Sequence, residues 1–227
     1  MTGPIVWLPS AFGEAPRLRV HEQLDGVVVR DHDGDATSMA EHVVRLADTI
    51  DRAVVVGTSF GGWVAAELAS WFPERVEALV VVDAMGLYVP GHPAAELFAL
   101  TLRQLADLLF RDPADVDTRA MPAFDRHVDA MERHLRMIET QEQMTRLGWS
   151  PYLHDRDLPA RLARYTGPAL VVWGDDDRVL PPAHAAAWSE LLAAEVATIE
   201  EAGHLPHIEQ PDRVAAVIAD WLSSCGQ

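Results

Sequence analysis

The sequence of 227 residues contains no lysine and no asparagine, and its single cysteine is Cys225. Without lysine there can be no lysine Schiff base, no pyridoxal phosphate attached through lysine, and no phosphate-binding loop that depends on a lysine. One cysteine excludes a disulfide within the chain, and a cysteine nucleophile is not expected so close to the C-terminus. Several lysine-dependent enzyme classes are therefore excluded.

Positive charge is also scarce. The chain has 18 basic residues, all of them arginine, against 35 acidic residues, which gives a formal net charge of −17. Such a charge repels phosphate backbones and anionic membrane surfaces. The chain has no apolar run of the roughly 18 residues needed to span a bilayer, and residues 1–4 do not resemble a signal peptide. We expect no nucleic-acid or membrane partner, and a cytoplasmic location.

Length and hydrophobic content indicate one domain, because 227 residues that are 49% hydrophobic can bury a full core. Buried apolar runs alternate with helical patterns, which predicts an α/β fold with a mostly parallel, doubly wound sheet. The segment from Asp83 to Gly167 is too long for an ordinary connection and is mostly helical in pattern. We predict a core of residues 1–85 and 165–227 and a helical cap at residues 86–164.

A serine follows the most hydrophobic of these runs. Residues 54–56 are three valines, and Gly57, Thr58, Ser59, Phe60 and Gly61 come next, before a helix of small residues. A serine on a tight strand-to-helix turn has a strained backbone, which favours glycine two positions to either side. The N-terminus of the following helix favours negative charge beside the hydroxyl. The pattern predicts a nucleophile at Ser59.

An acid and a base follow in the order that this type of turn uses. Asp175, Asp176 and Asp177 come after the buried run 169–173, and His204 comes after Gly203 and the run 195–199. An imidazole can take a serine proton if its other nitrogen is held by a carboxylate. The sequence leaves the acid open among the three adjacent aspartates. Asp83, after the run 78–82, is a further candidate.

Together these motifs resemble the α/β-hydrolase family, and the resemblance covers nearly the whole chain. The segment Trp-Gly-x-x-Asp-x-x-x-Pro at 173–181 places the family's acid at Asp177, and Gly-His-x-x-x-x-Glu-x-Pro at 203–211 places its base at His204. His207 does not follow the loop glycine and is expected in the core or at the pocket rim. The resemblance implies that Asp177 orients His204, which activates Ser59.

The same resemblance implies two backbone donors for the oxyanion. One is the amide of Phe60, directly after the serine. The other lies in the loop after the first strand, where the family usually has His-Gly-x and this chain has Pro9 and Ser10. The donor therefore maps to Ala11, with Ser10 as the alternative. We further expect these residues to line the substrate pocket: Ser10, Phe12, Met85, Met131 and Leu205.

The resemblance implies a capped serine hydrolase that cleaves a carboxylic ester of a small molecule, without cofactor or metal. A C–C bond hydrolase of the meta-cleavage product type is an alternative, although those relatives carry tryptophan directly after the histidine, where this chain has Leu205. A thioesterase is another alternative. A hydrolase-fold small-molecule receptor is the non-enzymatic one.

The antiparallel strands with which the family commonly begins have no counterpart in this sequence. The strand expected at residues 26–30 would then form an open edge of the sheet. Proteins usually cover or pair such edges, which predicts a homodimer through this strand.

Overall fold

The computed structural model describes residues 3–32 and 34–225, and in these ranges a single parallel sheet forms the core. Its six strands are β1 (Ile5–Leu8), β2 (Val27–Val29), β3 (Ala53–Thr58), β4 (Val76–Val82), β5 (Ala169–Gly174) and β6 (Glu195–Ile199). They lie in the order β2-β1-β3-β4-β5-β6, and each neighbouring pair is parallel. The predicted α/β fold with a doubly wound sheet is confirmed.

Nine α-helices accompany the sheet in the described residues. They are α1 (Arg19–Gln23), α2 (Met39–Ala47), α3 (Phe60–Trp71), α4 (Leu102–Leu109), α5 (Ala130–Gly148), α6 (Leu158–Leu162), α7 (Ala183–Leu192), α8 (Pro206–Glu209) and α9 (Pro211–Cys225). Short 3₁₀ helices form at Pro73–Arg75 and Pro122–Phe124. None of the helices described here combines the length and the apolar content that crossing a membrane requires.

The central strands are buried and the outer strands are not. Every residue of β3 is buried, whereas the residues of β2 are half-buried and most of β6 is exposed or half-buried. Because helices cover both faces of a parallel sheet, its inner strands are apolar throughout, which is why residues 54–56 read as an unbroken valine run. β2 lies at one edge and pairs only with β1 in the described sheet. Dimerisation through this edge stays a prediction.

The strand order places the predicted site residues on one side of the molecule. From β1 the chain passes to β2 on one side, and β3 then lies on the other side of β1. In open α/β sheets, ligands bind outside the carboxyl ends of the strands at such a switch point. The loops after β1, β3, β4, β5 and β6 all open at this end, because all the strands run in the same direction.

Helices α4, α5 and α6 occupy the segment between β4 and β5, where the sequence predicts a cap. A partly buried ion pair attaches this segment to the core: one Arg161 amino group lies 2.7 Å from both carboxylate oxygens of Glu67 in α3. The same group lies 2.8 Å from Asp155. The cap boundaries themselves stay a prediction.

One apolar series in this segment faces solvent. Met131, Leu135 and Ile138 recur at helical spacing, yet they are 65%, 51% and 50% exposed. α5 instead buries the face that carries Met137 and Met144. Both faces have the apolar periodicity of a buried stripe, so the sequence pattern of α5 alone does not show which one packs on the core.

Candidate active site

Ser59 occupies a sharp turn between β3 and α3. Its backbone has φ 51° and ψ −114°, a conformation that non-glycine residues rarely adopt. A Cβ at Gly57 would lie 2.3 Å from the carbonyl oxygen of Gly61, and one at Gly61 would lie 2.3 Å from the carbonyl oxygen of Leu8. Both contacts are with backbone, so only glycine fits on either side of the serine.

A continuous chain of hydrogen bonds joins Ser59, His204 and Asp177. Ser59 Oγ lies 2.8 Å from His204 Nε2, and His204 Nδ1 lies 2.9 Å from Asp177 Oδ2. Because an ionised carboxylate can only accept, the ring hydrogen belongs on Nδ1, and Nε2 accepts from the serine hydroxyl. The side chains of His204 and Asp177 are 0% and 1% exposed. This arrangement can remove the serine proton away from bulk water.

The structure distinguishes among the three adjacent aspartates. Asp177 Oδ1 accepts the backbone N–H groups of Val179 and Leu180, at 2.8 and 3.0 Å, which leaves Oδ2 for the histidine. Asp175 instead accepts the amide of Ala202. Asp176 pairs with Arg178.

Asp83 lies beside this chain of hydrogen bonds but is not part of it. Its carboxyl group is buried, and Oδ1 accepts the backbone N–H of Gly174 at 2.9 Å. Burial and, after it, the neighbouring Asp177 charge raise the pKa of Asp83 well above its usual value. These two effects favour the protonated form of Asp83, and the hydrogen bond at His204 Nδ1 goes to Asp177, so Asp177 is the better candidate for the anion that orients His204.

One cluster in the described residues has the spacing of a metal site. Asp83, Asp177 and His204 each offer an atom within 4.8 Å of the others. A cation there would have to displace the hydrogen that His204 Nδ1 shares with Asp177. The cluster is accounted for by its own hydrogen bonds, and its geometry does not indicate a metal.

The loop that carries His204 is held by Glu209, a residue that the sequence motif contains but to which it assigns no role. Glu209 Oε2 accepts the N–H of Gly203 at 2.7 Å, and Oε1 accepts the N–H of Arg111 at 2.9 Å. A Cβ at Gly203 would lie 2.8 Å from the carbonyl oxygen of Leu109. The end of α4 therefore packs directly on the histidine loop, and Glu209 joins the two.

The two predicted oxyanion donors lie on loops that meet at the serine. Phe60 is the first residue of α3, where a backbone N–H has no acceptor inside the helix. Ala11, in the loop after β1, has a positive φ of 68°. Its N–H donates no hydrogen bond within the described chain, whereas the N–H of Ser10 donates to Glu14 at 3.1 Å. Of the two alternatives in this loop, only the Ala11 amide is unoccupied.

Four of the five predicted pocket residues are completely buried: Ser10, Phe12, Met85 and Leu205. The Phe12 ring meets the His204 ring edge-on, with centroids 6.3 Å apart. Met131 is the exception. It lies in the first turn of α5 on the exposed face, because the helix buries Met137 and Met144 instead. Its place in the substrate pocket stays a prediction.

Comparison with known proteins identifies the family of the chain. Residues 6–217 match the model of the family described as "Alpha/beta hydrolase family". The chain is 33% identical over 193 residues to the dihydrolipoyllysine-residue acetyltransferase component of the acetoin cleaving system of Pseudomonas putida, covering 80% of this chain and 49% of that protein. It spans about half the length of the acetoin-system relatives that it matches.

A second relative is matched over most of its length. The chain is 30% identical over 191 residues to a pimeloyl-[acyl-carrier protein] methyl ester esterase of Aromatoleum aromaticum, covering 77% of this chain and 76% of that protein. Other matches are named as a lipase and as a meta-cleavage product hydrolase. The crystal structure of a membrane phospholipase A superimposes with a TM-score of 0.80 at 23% identity, covering 99% of this chain and 80% of that one. This chain belongs to the α/β hydrolase family.

Proposed function

We propose that the chain is a serine hydrolase that cleaves a carboxylic ester of a small molecule through an acyl-enzyme intermediate. The observation that carries the proposal is the buried path of hydrogen bonds from Ser59 Oγ through His204 to Asp177. A serine hydroxyl is a poor nucleophile near pH 7 unless a base removes its proton during attack. This path supplies that base and the anion that steadies it.

In the first half of the reaction, Ser59 Oγ forms a bond to the ester carbonyl carbon while its proton passes to His204 Nε2. The imidazolium that results is stabilised by Asp177 at Nδ1. When the tetrahedral intermediate collapses, the C–O bond to the leaving alcohol breaks and Nε2 returns its proton to that oxygen. In the second half, water takes the place of the serine, and the carboxylic acid is released.

Negative charge builds on the carbonyl oxygen in both halves. The N–H groups of Phe60 and Ala11 would donate hydrogen bonds to this oxygen, and the dipole at the N-terminus of α3 would further stabilise its negative charge. Each such donor stabilises the transition state by about 3 kcal/mol. The reaction needs no cofactor.

An ester is favoured over the alternatives by two observations. One relative that shares 30% identity is named as a methyl ester esterase. Leu205 stands directly after His204, where the C–C bond hydrolases of this family carry tryptophan. A thioester would use the same three residues, and a receptor would have no need of them.

A fluorophosphonate probe with peptide mapping tests the mechanism, together with kcat and KM on aryl esters of increasing acyl length, a thioester and a diketone. We expect labelling at Ser59 and fastest turnover of an ester. Ser59→Ala should lower kcat by about 10⁶-fold and abolish labelling. Ser223→Ala, which removes an exposed hydroxyl in α9, is the matched control and should change neither.

Each alternative has its own result. Fastest turnover of the diketone would identify a C–C bond hydrolase. Fastest turnover of the thioester would identify a thioesterase. Labelling of Ser59 without turnover of any of the three would indicate a receptor. Activity that survives Ser59→Ala would refute the mechanism.

A further inference from the structure

The loop that carries Ala11 lacks the His-Gly pair usual in the resembling family, yet one of its peptide groups is held at both ends by side chains. This group joins Pro9 to Ser10, so its carbonyl oxygen belongs to Pro9 and its N–H to Ser10. His32 Nε2 lies 2.8 Å from the oxygen, and Glu14 Oε1 lies 3.1 Å from the nitrogen. Two hydrogen bonds in opposite directions fix the rotation of a peptide plane.

The Glu14 side of this arrangement is an ionised, buried carboxylate. Its side chain is 3% exposed, and Oε1 also accepts from His207 Nε2 at 3.1 Å. Burial by itself raises the pKa of Glu14, but the His207 ring and the hydrogen bonds from His207 and Ser10 outweigh it and hold the pKa below its usual value. The His207 ring is itself buried against the Trp7 indole of β1, with centroids 5.8 Å apart.

The His32 side is a neutral imidazole in a defined tautomer. A carbonyl oxygen can only accept, so Nε2 carries the hydrogen. Burial and then the neighbouring His42 lower the pKa of His32 to about 4, so the ring is neutral at pH 7 and Nδ1 carries no hydrogen. His42 Nε2, 3.2 Å from that nitrogen, therefore donates to it. The hydrogen bonds run in one direction, from His42 through His32 to the Pro9 oxygen.

Both oxyanion donors lie next to this arrangement. The Ala11 N–H belongs to the next peptide group along the chain, which is joined to the held group at the Cα of Ser10. The His32 ring also packs edge-on against the Phe60 ring, with centroids 4.9 Å apart. The orientation of the Ala11 N–H therefore depends on two side chains from loops after two different strands.

We propose that Glu14 and His32 are positioning residues that clamp the peptide group between Pro9 and Ser10 and so direct the Ala11 N–H at the oxyanion. The clamp does the work of the His-Gly turn that this chain lacks. The proposal rests on the function proposed above, because an oxyanion forms only if the chain performs acyl transfer. Because both side chains act through this peptide group, we expect their loss to weaken transition-state stabilisation and to leave substrate binding unchanged.

The test compares alanine with glutamine at both positions. Glu14→Ala and His32→Ala remove the acceptor and the donor, and we expect each to lower kcat by about 10- to 100-fold, within the loss known for one oxyanion donor, with KM nearly unchanged. Affinity for a trifluoromethyl ketone, which forms a tetrahedral adduct, should fall by the same factor. Glu14→Gln and His32→Gln keep an oxygen or an N–H in reach of the peptide and should restore kcat to within about threefold of wild type.

Thermal unfolding and titration of active sites with the fluorophosphonate correct each rate for folded, competent enzyme. The matched controls are Glu190→Ala and His127→Ala, which change exposed side chains of the same types and should leave kcat unaltered. The double variant Glu14→Ala with His32→Ala should lose less than the product of the two single losses, because both act on one peptide group. If Glu14→Ala does not fold, His32→Ala and the two glutamine variants decide the question.

Three results overturn the clamp while the proposed function stands. The first two are wild-type kcat in folded Glu14→Ala and His32→Ala, and glutamine variants as slow as the alanine variants. Loss of activity through KM alone would also overturn it. Wild-type protein that is neither labelled nor active on any ester overturns the proposed function, and the clamp with it.

Discussion

Replacing Asp177 with asparagine should move the ring hydrogen of His204 from Nδ1 to Nε2 without changing the shape of the site. Asp177 Oδ1 accepts two backbone N–H groups, from Val179 and Leu180. Only the oxygen of an asparagine amide can take that position, so its NH₂ group must face His204 Nδ1, now 2.9 Å from Oδ2. An NH₂ group donates, which forces the ring hydrogen onto Nε2. Nε2 then donates to Ser59 and cannot remove its proton.

The size of this effect follows from the wrong tautomer. In trypsin-like proteases, the same substitution lowers kcat by about 10⁴-fold, which corresponds to about 5 kcal/mol in the activation barrier. Asp83→Asn is the matched comparison because burial and the Asp177 charge raise the pKa of Asp83 and favour its uncharged form. An asparagine oxygen can still accept from Gly174, its NH₂ group replaces the protonated oxygen, and asparagine tolerates the φ of 43° found there. We expect less than about a threefold change in kcat, under 1 kcal/mol.

The assay measures kcat for an aryl ester at about pH 7.5. Thermal unfolding of each variant corrects the rate for the fraction of folded protein. Asp175→Asn and Asp176→Asn make the same chemical change next to the site and should stay within about tenfold of wild type, because their partners are Ala202 and Arg178. Activity of Asp177→Asn within tenfold of wild type would refute the tautomer argument. A loss in Asp83→Asn as large as that in Asp177→Asn would show that Asp83 acts as an anion.

Three further expectations concern stability and assembly. Burial and then the Asp177 charge raise the pKa of Asp83 in the folded chain, so stability falls as pH rises from the unfolded pKa of about 4 towards the raised folded pKa, by at most about 1.4 kcal/mol per unit. Urea unfolding from about pH 4 upwards should show Asp83→Asn gaining on wild type as pH rises, and a difference that is constant with pH would contradict this. Gly61→Ala should lower both Tm and kcat, because its Cβ would lie 2.3 Å and 2.4 Å from the carbonyl oxygens of Leu8 and Pro9. Gly34→Ala is the control, since its Cβ would meet nothing within 4 Å. Equal Tm values for the two variants would contradict the close packing at Gly61. Pairing of β2 edges would give twice the chain mass of 25.0 kDa in light scattering, and a single-chain mass would exclude it.

The sheet was predictable because its signals are local. Buried valine runs and punctuating glycines mark the strands, and β6 forms over Glu195–Ile199, the residues predicted for it. Gly57 and Gly61 beside Ser59 are required by contacts with backbone a few residues away or in the next strand. Sequence patterns record such requirements directly, since no other residue fits.

Other features depended on contacts between distant parts of the chain. The sequence left four aspartates as candidates for the acid, and the choice of Asp177 rests on a loop that aims one carboxylate oxygen at His204. The two apolar faces of α5 look alike in sequence, and only packing buried Met137 and exposed Met131. The roles of Glu14 and His32 could not be read from either loop alone.

By itself, the sequence determined the parallel sheet, the serine turn and the histidine loop, because apolar periodicity and obligatory glycines act over a few residues. Tertiary structure decided which carboxylate bonds to His204, which face of a helix is buried, and what holds the Ala11 loop. Burial, charge and hydrogen-bond partners set these outcomes, and each depends on groups that come together only when the chain is folded.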